Sequence, residues 1–422
     1  MSIGQKVDAY VKPFLDTRTF SGAILIGKGK DVVFAKAYGM ANEELRVANA
    51  RDTKFHLASV SKTFTAGAVM LLQQRGLLNV DDPVSRYLPD FPNGDRIRLR
   101  HLLTDTSGLP NINSMPEYDR EVKLPHTLDE IVAMFRGKPL TFEPGSRGFS
   151  ESSANWVLLA KIIETVSHRS YGDFLRGEIF EPLGLRNTGH HGNMQQVLAN
   201  LADGYAPAGY LELERATYID WSFKTGNGSL YSTVDDLFRW QRALADGSLL
   251  SRATVDTMWR EQYGWFLGKR HNREVVRYSG RAPGFQCEIH RYLADDVFVA
   301  VLSNNYSTAA SLMIDGVAAI ALGEPYRVPA IRVDLKADLA RLPSYAGTYE
   351  FGSDFYVPNA RSTIEVVNGN LMRRSGGLEG ALIPQPDGTF FDRGFWATLR
   401  FEKDAFVWTY GDQVFRAKRI AP

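Results

Sequence analysis

The chain has one cysteine, Cys287, among 422 residues. That excludes an intrachain disulfide framework and a cysteine-based zinc site. No apolar run approaches the roughly 20 residues of a membrane-spanning helix. Neither sign of charge dominates: 49 basic and 48 acidic residues leave a net charge of +1. There is thus no electrostatic footprint for nucleic acid or an acidic membrane surface. The first residues, Met1-Ser2-Ile3-Gly4-Gln5-Lys6, lack a charged-then-apolar export signal. A cytoplasmic location is expected, or a periplasmic one if a signal was removed. No repeat or low-complexity tract is present. What remains is ordinary globular composition, 44% hydrophobic and 23% charged, enough for two domains.

Apolar spacing predicts a helix over about 4–16, then a hairpin. Its strands, Ala23-Ile24-Leu25-Ile26 and Val32-Val33-Phe34-Ala35, flank the turn Gly27-Lys28-Gly29-Lys30-Asp31. Further helices are expected at about 60–76, 128–135, 155–166, 233–244 and 308–322. Thr127 with Glu130 has the spacing of a capping box, and Thr233 with Asp236 that of an N-cap and its N3 residue. Apolar strands are expected at 286–292 and 297–303. Strands at both ends and helices between imply an α+β layout: one antiparallel sheet flanked by helices, with a helical insert at about 79–230. The first domain then spans 1–325 and a linker 326–342. Short strands punctuated by Asn368-Gly369, Gly376-Gly377 and Pro386-Asp387-Gly388 predict a small β-barrel or sandwich over 343–422. One of these strands is read at 395–401.

The chemistry points to Ser59-Val60-Ser61-Lys62. An apolar helical run begins straight after the lysine. A serine at the first turn lies near free N–H groups and the positive dipole end. A lysine three positions on shares its face. Partly desolvated, that lysine can be neutral and take the serine proton. The alternative is a capping serine followed by a solvated lysine.

The stretch from Asp52 to Thr65 resembles the active-serine segment of the serine β-lactamase and penicillin-binding-protein superfamily. It is closest in pattern to the class C, D-aminopeptidase and family VIII carboxylesterase branch. The resemblance continues through Gly76 to Val84, Tyr87-Leu88-Pro89, His101 to Pro110, Pro144-Gly145, Pro182-Leu183-Gly184-Leu185 with Thr188, and Pro283-Gly284-Phe285. It implies a sheet domain plus an all-helical subdomain, with the site between them. It also implies Ser59 as nucleophile and Lys62 as its partner. Two further motifs depart from the pattern. Where the family has a tyrosine and an asparagine, the ungapped register places Glu151 and Ser153; a register with one extra residue places Ser150, and Ser153-Ala154-Asn155 is a third option. Glu151 can pass protons if its pKa is raised, can bind Lys62, or can sit in solvent at a helix N-terminus. Ionised beside Lys62, it would hold the lysine as an ammonium and itself act as base.

The family's basic third motif reads Tyr278-Ser279-Gly280-Arg281 here. The resemblance implies that this strand's Arg281 N–H joins that of Ser59 as an oxyanion hole. Arg281 either restores a positive charge near the pocket or is a surface residue. Gly280 lets substrate approach the strand. Tyr118, Trp221, Phe223 and Tyr263 are candidate pocket walls, Gly226-Asn227-Gly228-Ser229 a turn near the site. His190-His191 is read as a surface loop; His56 and His101 as structural. The C-terminal barrel resembles small lipocalin-like domains through Tyr345-Ala346-Gly347-Thr348-Tyr349.

These features imply a serine hydrolase forming an acyl-enzyme on a small ester, amide or short peptide, with no cofactor and no metal. A homo-oligomer stays open. Two alternatives are a silent binding or scaffold protein, and chemistry in which Glu151 acts as general base on a non-acyl substrate.

Overall fold

The structure, a computed structural model, describes residues 1–146, 148, 151–331, 339–375 and 378–421. Ser2 caps helix α1 (Ile3–Asp16) through a capping box with Gln5. Its buried residues Val7, Tyr10, Val11 and Phe14 fall at i, i+3, i+4 and i+7, one apolar stripe. Strands β1 (Gly22–Lys28) and β2 (Asp31–Tyr38) follow as a hairpin. Helix α2 (Ser61–Gln74) comes next, buried at every residue from Ser61 to Leu72. It is therefore the axis of the fold rather than a surface helix. Helices α3 (Leu128–Phe135) and α4 (Ser153–Ser167) belong to the insert, and α5 (Val234–Asp246) follows it and packs on β1. Thr127 and Thr233 cap α3 and α5 as their spacing predicts. The insert also carries short strands, including the hairpin Tyr205–Ala208 with Glu212–Arg215, so it is mainly rather than wholly helical.

The chain then returns to the sheet with β3 (Phe266–Arg270), β4 (Arg273–Ala282), β5 (Phe285–Tyr292) and β6 (Val297–Ser303). Sheet order is β3-β4-β5-β6-β1-β2, antiparallel throughout, so both chain ends of the domain build one sheet. β5 and β6 are buried along their whole length. One face packs on α2 and the insert. The other packs on α1 and α6 (Ala309–Leu322).

Beyond α6, eight strands from β7 (Gly347–Phe351) to β14 (Gln413–Ala421) close into a meander barrel. Asn368 and Gly369 both have positive φ, as a tight hairpin turn needs. Of the expected linker, 332–338 lies outside the described residues, as does the Gly376-Gly377 turn. The expected strand at 395–401 begins at Ala397 instead. Phe395 and Trp396 lie in a turn, Trp396 at φ 53°, because that turn leaves the barrel to meet α1. Trp396 stacks on Phe14 at 4.1 Å and donates to Thr19 Oγ1 at 2.5 Å.

Arg393, in the same turn, is fully buried. Its guanidinium donates to the carbonyls of Thr17, Arg18, Ala208, Gly209 and Glu212 at 2.6–3.3 Å. One side chain thus fastens the barrel to the first domain and to the insert. Arg393→Met strands those acceptors and should destabilise the protein by about 3 kcal/mol. Urea unfolding followed by tryptophan fluorescence measures this; an unchanged midpoint would show that the turn docks without the guanidinium.

Candidate active site

Ser59 lies in a single 3-10 turn, Ala58–Val60, that runs directly into α2. The residue before it, Ala58, has φ 46°. A non-glycine residue in that region is strained, and the strain aims the next side chain out of the turn. The turn is held from two sides. Leu57 N–H donates to the Leu230 carbonyl at 2.8 Å, and Leu230 N–H donates to Ser61 Oγ at 3.1 Å. Against it packs β4. That strand loses its β3 neighbour after Arg277, so residues 278–282 present an unpaired edge to the serine turn. A methyl on Gly280 would lie 2.1 Å from the Leu57 carbonyl oxygen and 3.0 Å from Ser59 N. The strand thus approaches the Ser59 turn closely at Gly280.

Lys62, one helical turn beyond Ser59, is buried. Its Nζ lies 5.6 Å from the Trp156 ring and 5.8 Å from the Tyr278 ring, an aromatic sandwich that suits a cation. Tyr278 thus stands beside the lysine. Burial, with the nearby charges of Asp105 and Glu151, holds its phenol protonated.

Asp105 does not stand out in the sequence, although it lies within the His101–Pro110 stretch. It is buried at φ 55°. It accepts from Asn155 Nδ2 at 2.7 Å and Trp156 Nε1 at 3.1 Å. Burial pushes its pKa up to about 6, against the opposing pull of Lys62. Asn155, oriented by Ser107 and Asp105, supports this carboxylate rather than facing the cavity.

Glu151 is exposed and does not line the Ser59 cavity; its charge is felt at Asp105, Arg277 and Tyr278. Ser150, the other candidate for that place, lies outside the described residues.

Ser59 opens onto a cavity of about 630 Å³. Ser153, Arg281, Tyr118 and Trp221 line it as well. Ser279 and Gly280 belong to the β4 edge behind Arg281. Phe223 sits under Tyr118, their rings 5.9 Å apart, and Tyr263 lies outside this cavity. Asn113 donates to Ser153 Oγ at 3.0 Å.

Lys224, also unassigned from sequence, is buried in the lining and donates to Asn113 Oδ1 at 3.1 Å and Tyr118 OH at 2.7 Å. Its signal is its position two residues before the glycine-rich turn. Burial, then the charge of Lys62, lowers its pKa to about 7. His190-His191 is no surface loop. His191 is buried and stacks on His56, itself stacked on Trp221 at 3.8 Å. Among the described residues no cluster of histidine, cysteine and acids has the makings of a metal site.

A family model described as Beta-lactamase matches residues 7–322. The chain is 28% identical over 418 residues to Penicillin-binding protein 4* of Bacillus subtilis (strain 168), covering 90% of each. It is 25% identical over 313 residues to Teichoic acid D-alanine hydrolase of Staphylococcus aureus, covering 74% of each. The octameric penicillin-binding protein homologue from Pyrococcus abyssi shares the fold with TM-score 0.69 at 24% identity, over 99% of this chain and 100% of that one. Serine turn, buried lysine, sheet edge and matched relatives agree: this chain belongs to the Beta-lactamase family and is a serine hydrolase of that family.

Proposed function

We propose that the protein hydrolyses a small ester or amide through an acyl-enzyme on Ser59. The observation that carries this is the strained serine turn facing an open cavity, with a buried lysine one helical turn behind it. Ser59 Oγ attacks the carbonyl carbon as the neutral amine of Lys62 takes its proton, and Asp105 with the flanking rings stabilises the ammonium that forms. The oxyanion is held by the N–H groups of Ser59 and Arg281, both bordering the cavity. The leaving alcohol or amine takes a proton as its bond to carbon breaks. Water then attacks the acyl-enzyme, releasing the acid and restoring Ser59. The staphylococcal relative, by name a D-alanine hydrolase of teichoic acid, supports ester or amide cleavage.

In this reading Tyr278 stands where a proton must pass, and Asp105 supplies the negative charge opposite Lys62. Glu151 tunes both through its field. Asp105 is ionised above about pH 6 and neutral below it. Activity should therefore fall as pH drops through 6, and Asp105→Asn should remove that acid limb. The measurement is kcat/KM against pH for both forms; a limb that persists in the variant assigns the titration elsewhere.

The direct test of the function is intact-protein mass spectrometry after exposure to a fluorophosphonate, a p-nitrophenyl ester and a penicillin. A stoichiometric adduct on Ser59 supports the reading. A folded protein unlabelled by all three would overturn it in favour of a binding role.

A further inference from the structure

The Ser59 cavity is lined by Lys123, Lys224 and Arg281 against a single acid, Asp119 at the exposed rim. Lys123 and Arg281 reach solvent, but Lys224 does not: only 6% of it is exposed. A buried ammonium beside a second buried lysine is costly unless an anion meets it. Among the described residues no carboxylate pairs with Lys224. Its two hydrogen-bond partners, Asn113 Oδ1 and Tyr118 OH, are neutral. A lysine has three donors, so one N–H is left over. Arg281 likewise has no ion pair among the described residues, and its guanidinium lies 5.9 Å from the Tyr306 ring on the same cavity wall. The third-motif position, where the family carries a cation, is here the buried phenol Tyr278.

Resting on the acyl-enzyme reading above, we propose that the acyl donor carries a carboxylate, which the buried Lys224 and the rim Arg281 bind within the cavity that Ser59 opens onto. A substrate with a free α-ammonium would meet two cations instead. The chemical class is an ester or amide whose acyl part ends in an acid a few carbons from the scissile carbonyl. The bound carboxylate takes the spare Lys224 N–H, and Asn113 and Tyr118 hold the amine in place.

Burial and the charge of Lys62 lower the Lys224 pKa to about 7. Carboxylate binding needs the ammonium, so it should weaken as pH rises above 7. The charged groups facing Lys224 are Lys62, Asp119, Lys123 and Arg281. Asp105, behind Lys62, is already ionised. Tyr118, pushed up to about 12 by burial, and Tyr306, raised by burial, keep their protons.

The test compares mono-p-nitrophenyl glutarate with p-nitrophenyl valerate, equal in chain length and differing in the carboxylate. The expected preference is about tenfold or more in kcat/KM, carried by KM, as for a charged hydrogen bond in a buried site. In Lys224→Met the ratio of the two should collapse toward one, and Lys224→Arg should restore part of it. In the unmodified protein, glutarate should inhibit valerate ester hydrolysis better than D-alaninamide does. That inhibition should weaken about fifteenfold from pH 7 to 8.5, the factor for a group titrating near 7. The inhibition arm stands even if the Met variant fails to fold. Equal turnover of both esters, a ratio unmoved in a folded Met variant, or tighter inhibition by D-alaninamide overturns the carboxylate assignment while leaving Ser59 chemistry intact. Failure to label Ser59 with fluorophosphonate overturns the underlying reading instead.

Discussion

Ser59→Ala should lose at least about 10⁴-fold in turnover and all fluorophosphonate labelling, with the fold unchanged. The size follows from what the hydroxyl does. Without a nucleophile there is no acyl-enzyme, and only the oxyanion N–H groups and substrate positioning remain. Those leave a residual rate above water, not a working cycle. The serine is half-buried, sits in the middle of a strained turn, and makes no side-chain hydrogen bond among the described residues. Thermal unfolding should therefore stay within about 0.5 kcal/mol of the parent. Lys62→Met should cost a comparable factor in rate, and the double variant little more than either alone, because the two side chains act as one device. A variant lacking Ser59 that keeps a tenth of its turnover would exclude an obligatory acyl-enzyme. It would favour a carboxylate acting directly on the substrate. In that event Asp105, buried beside Lys62, is the first residue to replace, and exposed Glu151 the second.

What the sequence revealed of this site follows the range of the interactions involved. Ser59 and Lys62 are legible because a three-residue spacing, from the 3-10 turn into the start of α2, fixes their geometry locally. Helix caps at Thr127 and Thr233 are legible for the same reason. β6 shows as an apolar run because the sheet buries both its faces, whereas β5, equally buried, carries Gln286, Glu288, His290 and Arg291 among its apolar residues. β4 shows no such run, because one side of its second half faces the serine turn and its residues alternate between buried and half-exposed. The missing second-motif tyrosine points to Glu151 by register alone. Register does not say which acid comes nearest the lysine, and the fold brings Asp105 there from a different segment. Lys224 is unreadable for a related reason. It meets Asn113 and Tyr118 across 111 and 106 residues of chain. Apart from the glycine-rich turn two residues on, nothing local distinguishes a lysine buried in such a wall from one on the surface. In the barrel, the strand expected at 395–401 starts two residues late because Phe395 and Trp396 belong to the turn before it, Phe395 packing on the barrel core and Trp396 on α1.

Gly280→Ala should cut kcat/KM by about 10²-fold or more, from a single methyl group that touches no substrate. That methyl would sit 2.1 Å from the Leu57 carbonyl oxygen, 2.9 Å from Val60 N and 3.0 Å from Ser59 N. All three are backbone atoms, so no flexible side chain can give way. Either β4 moves out from the serine turn or the turn tips into the cavity. Both displacements separate the Ser59 and Arg281 N–H groups that the mechanism uses together, and a shift near 1 Å in such a constellation costs about 10² in rate. The strain should also cost about 1–3 kcal/mol of stability, the range for an overpacked interior. The β3 glycine gives the matched control. A methyl on Gly268 would have nothing within 4 Å of it, so Gly268→Ala adds the same atom to the same sheet without a clash. It should keep both rate and stability. Measuring kcat/KM and thermal unfolding for the pair separates a general effect on the sheet from a local one at the nucleophile. Equal behaviour of the two variants would mean that the serine turn adjusts to β4 freely, and that the oxyanion site is not built from their contact.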